Sequence, residues 1–209
     1  MTVEIVGRSS SHFTRVTRIF AHELGVPIEL VPIHDMTGVE PAVYADNPAL
    51  KLPVLRRAGS PVFGTENICR ALADMSDRRL RITWPEQLPA DLSRNAQELV
   101  WHGMAAQVQI IFGVQVAKLP ADNLYFAKGR EGFVGALRWL DDHLESALAA
   151  LPSTRDLSLF ETTLFCLVDH VAVRGTLPLE PCPSLVRFAE RFAERACARH
   201  TAYRFDRRP

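Results

Sequence analysis

Cysteine is sparse in this 209-residue chain: Cys69, Cys166, Cys182 and Cys197 are scattered, with no C-x-x-C and no histidine at metal-ligand spacing. That pattern excludes a disulfide-dense secreted scaffold and the usual zinc sites. It fits free, mostly buried thiols in a reducing compartment. An excess of charge is also missing. Lys+Arg and Asp+Glu number 24 each, so no net field recruits nucleic acid or an anionic membrane. No apolar run is read as reaching bilayer-spanning length. The opening M-T-V-E-I-V-G lacks a basic stretch followed by an apolar one, so no secretory signal is read there. No internal repeat is visible. The one basic cluster, Arg204 with Arg207 and Arg208, reads as a solvated terminus. The expectation is a cytoplasmic protein without a metal site.

What is present is a globular composition, 47% hydrophobic and 23% charged. Val3 to Val6 is a short β-branched run, hence a strand. Ser9 to Ser11 then precede Phe13, Val16, Ile19, Phe20 and Leu24 at helical spacing. Serine suits a helix start because its hydroxyl accepts a free backbone N–H, and Gly25 with Pro27 closes the other end. Ile28 to Ile33 is a second strand. Residues 35–50 are irregular with room for a short helix. A hairpin around Ala58-Gly59-Ser60 joins Val54-Leu55 to Pro61-Val62-Phe63, and a helix runs over Glu66 to Met75.

Residues 78–91, with Pro85 and Pro89, read as a linker. Beyond it only helical periodicity is evident. One helix is expected from Leu92 to about Lys118, with Val100, Met104, Val108 and Ile111 on a face, and another from Lys128 to Leu151. Ser158 and Glu161 form a capping box opening a helix that Gly175 ends. Leu185, Phe188, Phe192 and Ala196 mark a last amphipathic helix.

Pro53 interrupts N-P-A-L-K-L-P-V-L, residues 47–55, inside what otherwise reads as a strand. Proline cannot donate to a β ladder, so it belongs at an edge, a strand start or a bend. The order β-α-β-(α)-β-β-α is that of the thioredoxin-like fold, in which a cis X-Pro bond precedes the hairpin. A cis Leu52–Pro53 bond would turn the Val54 N–H and C=O outward, free to pair with an extended peptide; a trans proline starting an edge strand is the alternative. The expected fold class is α/β plus all-α: a thioredoxin-like domain over residues 1–77 (β-α-β-α-β-β-α), the linker at 78–91, and an all-helical domain over 92–209.

N-P-A-L-K-L-P-V-L followed by G-S-P-V-F-G-T-E-N-I resembles the glutathione transferase pattern N-P-x-x-K-x-P-x-L before E-S-x-x-I. S-S-S-H-F-T-R-V-T-R-I-F-A-H-E-L-G-V-P-I-E is similar to that family's first helix, with its serine and Arg15. The resemblance is to the cytosolic, serine-containing, bacterial-like members, with no subclass assigned. It implies that Val54 pairs by its main chain with the cysteinyl part of glutathione, with Lys51 and Leu52 in the same binding stretch and Pro53 as the cis-proline. Glu66 and Asn67 would hold the γ-glutamyl end: a cationic amine suits Glu66, and its carboxylate suits a helix N-terminus. Lys51 could offer a cation to the glycyl carboxylate, or be a solvated surface lysine.

The family activates glutathione by lowering its thiol pKa, because the thiolate is the nucleophile. Counting back four residues from Arg15 selects Ser11; Ser10 is second and Ser9 third. One of the three also caps the helix. With no cysteine before Cys69, the resemblance implies conjugation, isomerisation or peroxide reduction, as in detoxification, rather than disulfide exchange. Glutathione would be a co-substrate, with no permanently bound cofactor. A small hydrophobic electrophile would occupy a pocket between the two halves, with His12, Phe13, Trp101, Met104 and Gln107 as candidates and His102 and Phe112 beside them; helix-bundle core is the alternative for the apolar ones. The resemblance also implies a homodimer. Asn67 stands where the family has serine and His12 where relatives carry proline, which leaves open a non-catalytic binding or interaction protein of the same fold.

Overall fold

The computed structural model describes residues 3–207. Met1, Thr2, Arg208 and Pro209, and with them the start of the opening stretch and part of the basic tail, lie outside the described residues. The chain divides into two compact units, residues 1–80 with 193–209, and residues 81–192.

In the first unit, β1 (Val3–Gly7), α1 (His12–Leu24) and β2 (Ile28–Pro32) form a parallel β-α-β unit, Ile5 lying opposite Leu30. Ser11 caps α1 and Gly25 ends it at φ 67°, the left-handed conformation that glycine adopts without penalty. A 3₁₀ turn at Pro41–Tyr44 leads through the proline stretch to β3 (Val54–Arg56), β4 (Val62–Phe63) and α2 (Thr65–Met75). The sheet order is β2-β1-β3-β4, with β3 antiparallel to both neighbours. Helices α1 and α2 pack side by side. Val6, Ile33, Tyr44, Ala45 and Val54 form a core cluster, with Leu50, Leu52 and Phe63 packed against it. This is a thioredoxin-like arrangement with a mixed sheet.

Residues 193–209, assigned by periodicity to the helical domain, instead cluster with this unit. The reason is polar as much as apolar. Arg15, 3% exposed on α1, donates from Nη2 to the Ala198 carbonyl at 3.1 Å and from Nε to Thr201 Oγ1 at 3.4 Å. Its guanidinium lies 4.2 Å from the Tyr203 ring centre. A buried guanidinium requires such partners, and the tail supplies these.

The second unit is helical. It contains α3 (Asp91–Ile110), continued by a π-helical turn at Ile111–Val116, then α4 (Leu124–Ala149), α5 (Leu159–Arg174) and α6 (Pro183–Ala193). The last amphipathic stretch is therefore split, since α7 (Ala196–His200) belongs to the first unit. Two short strands, β5 (Ile82–Thr83) and β6 (Leu157–Ser158), pair in parallel where the periodicity shows no strand. Arg81 anchors them, its Nε and Nη2 donating to the Asp156 carboxylate at 3.0 and 2.8 Å. On α3 the buried face holds Val100 and Met104 but then Gln107 and Ile110, while Val108 is exposed. By length and composition Asp91–Val116 would suffice to cross a bilayer, correcting the expectation that no run does; in this fold α3 packs against α4 and α5.

The capping box of α5 is half formed. Ser158 Oγ accepts the Glu161 N–H at 3.4 Å. The Glu161 carboxylate does not reach back, because Arg155 Nε and Nη2 bind its two oxygens at 2.6 and 2.7 Å. A bidentate charged pair outcompetes a single neutral backbone donor.

Candidate functional site

The turn between β1 and α1 is built from its backbone outward. Gly7 is obligatory, since a Cβ there would lie 2.6 Å from Thr14 Oγ1. Thr14, fully buried, accepts the Arg8 N–H on Oγ1 at 3.3 Å and donates its own N–H to Ser11 Oγ at 3.3 Å. The Ser11 N–H closes the turn on the Arg8 carbonyl at 3.1 Å. Ser11 is half-buried, Ser10 is 7% exposed and Ser9 fully buried. The Ser11 hydroxyl thus caps α1 as acceptor, and among the described residues its proton is donated to none. A hydroxyl in that state, at a positive helix end, can donate to an anion.

The proline stretch is shaped by Asn47. This buried side chain donates from Nδ2 to the Lys51 carbonyl at 2.9 Å and accepts the Ala49 N–H on Oδ1 at 3.0 Å. Leu50 takes φ 53°, unusual for a branched side chain, and the Leu52–Pro53 peptide is cis. Val54 is the residue expected to offer its main chain to a peptide. Val54 is fully buried and has a strand neighbour on each side, Val6 and Phe63, so it presents no open sheet edge. Leu52, half-buried and outside the ladder, is the candidate that keeps accessible surface. Lys51 is exposed and, among the described residues, has no ion-pair partner.

At α2 the cap residue is Gly64, which has no side chain to offer, so the first N–H groups are left without a side-chain cap. Glu66 is half-buried and already engaged: Arg70 donates from Nε at 3.0 Å and from Nη2 at 2.8 Å, both to Oε1. Asn67 is exposed and donates from Nδ2 to the Phe63 carbonyl at 3.1 Å. The expected amine-binding carboxylate therefore has one oxygen uncommitted among the described residues and a cation beside it. Arg70 was not selected from the sequence, although its i,i+4 spacing from Glu66 is the signal that finds it.

The candidates for a second-substrate wall do not behave alike. His12 (1% exposed), Met104 and Gln107 (both 0%) are buried. Gln107 instead donates from Nε2 to Thr176 Oγ1 at 3.1 Å. Phe13 and Trp101 are half-buried, and His102 and Phe112 exposed. A groove of about 450 Å³ within the helical unit, between α3 and α4, is lined by His102 with Gly103, Phe133, Lys128 and Gly132; of the candidates it includes only His102. An open depression of about 560 Å³ at the hairpin, lined by Arg57, Ser60, Pro61 and Met75, includes none of them.

The fold and these residues define a class: a thioredoxin-like unit whose first helix is capped by serine and whose cis-proline stretch precedes an uncapped α2, continued in sequence by a helical unit. Residues 10–75 match the family model for the N-terminal domain of glutathione S-transferase. No curated protein matches the sequence. Among solved structures, a glutathione S-transferase from Methylobacillus flagellatus with glutathione bound is 21% identical, covering 97% of this chain and 100% of its own, with a TM-score of 0.75. One from Methylobacterium radiotolerans, in complex with glutathione sulfonate, is 22% identical over 100% and 99% of the two chains (TM-score 0.74). A glutathione transferase family member from Pseudomonas fluorescens with bound glutathione is 17% identical over 97% and 100% (TM-score 0.79). At these identities the likeness establishes the fold.

Proposed function

We propose that the protein is a glutathione transferase in which Ser11 donates a hydrogen bond to the thiolate of glutathione. The carrying observation is the Ser11 hydroxyl itself, held as acceptor by Thr14 at 3.3 Å with its proton uncommitted, at the start of α1. The family match over residues 10–75 supports glutathione as the thiol. Leu52 beside the cis-proline takes the cysteinyl main chain. The uncapped N–H groups of α2, with Asn67, take the γ-glutamyl carboxylate. The free oxygen of Glu66 takes its amine, and Lys51 the glycyl carboxylate. Ser10 is the second candidate for the thiolate.

The activated thiolate attacks a small hydrophobic electrophile, by conjugation, isomerisation or peroxide reduction, in a cytoplasmic homodimer with a role in detoxification. Lowering the thiol pKa is the chain's chemical contribution: the hydrogen bond and the helix end both favour S⁻ over SH. The test is retention on immobilised glutathione followed by turnover of a chlorinated nitroaromatic and a peroxide panel. Retention lost in Glu66→Ala and turnover lost in Ser11→Ala are expected. Absence of retention by the unaltered chain would sink the reading. Retention without turnover of any electrophile would favour a binding protein of the same fold.

A further inference from the structure

The C-terminal segment does more than complete the first unit. Asp206 Oδ2 accepts the Ser9 backbone N–H at 2.9 Å, across 197 residues of sequence. Ser9 follows Arg8 inside the turn that Ser11 closes, and its hydroxyl is fully buried without a hydrogen-bond partner among the described residues. Among the bonds that hold the turn are the Ser11-to-Arg8 main-chain bond, the Thr14 contacts and the one from Asp206. Asp206 is itself delivered by a docked strap. Besides the Arg15 contacts with Ala198, Thr201 and Tyr203, Arg18 Nη1 donates to the Thr201 carbonyl at 3.4 Å, and Arg195 pairs with Glu23 at 2.9 Å.

We propose that Asp206 is a positioning residue for the serine turn: its carboxylate holds the Ser9 N–H and thereby sets where the Ser11 hydroxyl meets a bound thiolate. This rests on the reading of Ser11 as the thiolate-binding serine. A carboxylate accepting a backbone N–H is among the stronger hydrogen bonds, and small misplacements of a reacting pair carry large rate penalties. Asp206 acts through Ser9 and touches no substrate, so its loss acts on kcat while the glutathione contacts at Leu52 and α2 hold KM.

The experiment uses the full chain with Asp206→Ala and Asp206→Asn. Asp206→Ala lowers kcat by about tenfold or more with KM for glutathione little changed. Asp206→Asn restores most of the rate, because its amide oxygen still accepts the Ser9 N–H. Amide hydrogen exchange gives a readout independent of turnover, with Ser9 exchanging faster in Asp206→Ala but not in Asp206→Asn. An alanine variant with unaltered kcat and unaltered exchange overturns the proposal, as does an asparagine variant as impaired as alanine. If the unaltered chain fails to bind immobilised glutathione, the transferase reading falls. The exchange comparison then still decides whether Asp206 holds the turn.

Discussion

Replacing Ser11 separates a structural role from a chemical one, because its oxygen does both. As acceptor it satisfies the Thr14 N–H at 3.3 Å. Losing an N-cap costs about 1 kcal/mol, which lowers the melting temperature by about 2–4 °C in a chain of this size. As donor it offers its proton to S⁻. A hydrogen bond to a charged acceptor contributes about 1.5–3 kcal/mol, so at about 1.4 kcal/mol per unit its removal raises the bound thiol pKa by about 1 to 2 units. Below that pKa the rate follows the thiolate fraction, so kcat/KM near neutrality falls by about 10- to 100-fold and its acid limb moves to higher pH. Ser11→Asp divides the two roles. Its carboxylate still caps α1 and suits the helix end, so the melting temperature stays near that of the unaltered chain. It has no proton to give and repels the thiolate, so the thiol pKa rises at least as far as in Ser11→Ala. The assay is ultraviolet titration of the thiolate in the glutathione complex, paired with thermal melts. A Ser11→Ala variant that loses only melting temperature, with the thiolate titration unmoved, refutes the assignment; the same shift appearing in Ser10→Ala transfers the role.

Three further outcomes are expected. At Gly113 a Cβ would lie 2.2 Å from Cζ of Phe126, so Gly113→Ala destabilises by about 1–3 kcal/mol through overpacking. Adding Phe126→Leu relieves part of it, and strict additivity in denaturant melts would show that the contact is not the cause. Hydrogen bonds from the Arg81 side chain, and then from its backbone, hold the Asp156 carboxyl at about 2, below its ordinary 3.8. Its contribution is therefore complete above the ordinary value and lost as pH falls through about 2, so acid loosening of β5–β6, followed by fluorescence of the adjacent Trp84, flattens in Asp156→Asn; an identical acid transition in the variant counts against it. All four cysteines are buried and outside any disulfide, and burial, with Glu23, pushes the Cys197 thiol up to about 12. Aromatic disulfide reagents should label no thiol until the chain unfolds, and prompt labelling of the native protein would contradict that packing.

The elements were legible where the chain carries local punctuation. Ser11, Gly25, Ser158 and Gly175 each stand at the helix boundary that their chemistry suggests, because capping is a short-range event. What escaped depends on partners remote in sequence. β5 and β6 have two residues each and exist because Arg81 and Asp156 meet across 75 positions. The basic tail reads as solvated from its arginines, and Arg204 and Arg207 are exposed, yet Tyr203 beside them and Asp206 between them dock on α1 and its preceding turn. Nothing local in L-P-V tells which residue enters the ladder first, and it is Val54 that does. Val108, apolar and expected on the buried face, is exposed, whereas Gln107 holds a buried position with one amide bond to Thr176. Arg70 pairs with Glu66 at a spacing the sequence shows locally, whereas Asp206 meets Ser9 beyond any local signal.

Most of what the candidate site offers a ligand is main chain: the helix end behind Ser11, the uncapped N–H groups of α2, and the backbone at Leu52. Side chains enter mainly to hold that backbone in place, Thr14 and Asp206 for the serine turn and Asn47 for the proline stretch. A site of this kind places few demands on residue identity. That is consistent with structures of the same fold, two with glutathione and one with glutathione sulfonate bound, at only 17–22% identity to this chain. It also locates where differences in activity between such chains must arise. Backbone donors bind a peptide's amides and carboxylates whatever the side chains are, so under the proposed function they would fix the thiol and not its target. Among the site candidates of the first unit, Ser11, Phe13, Lys51, Leu52, Glu66 and Asn67 keep exposed or half-exposed side chains, and under the proposed function these are positions through which this chain can differ from its neighbours.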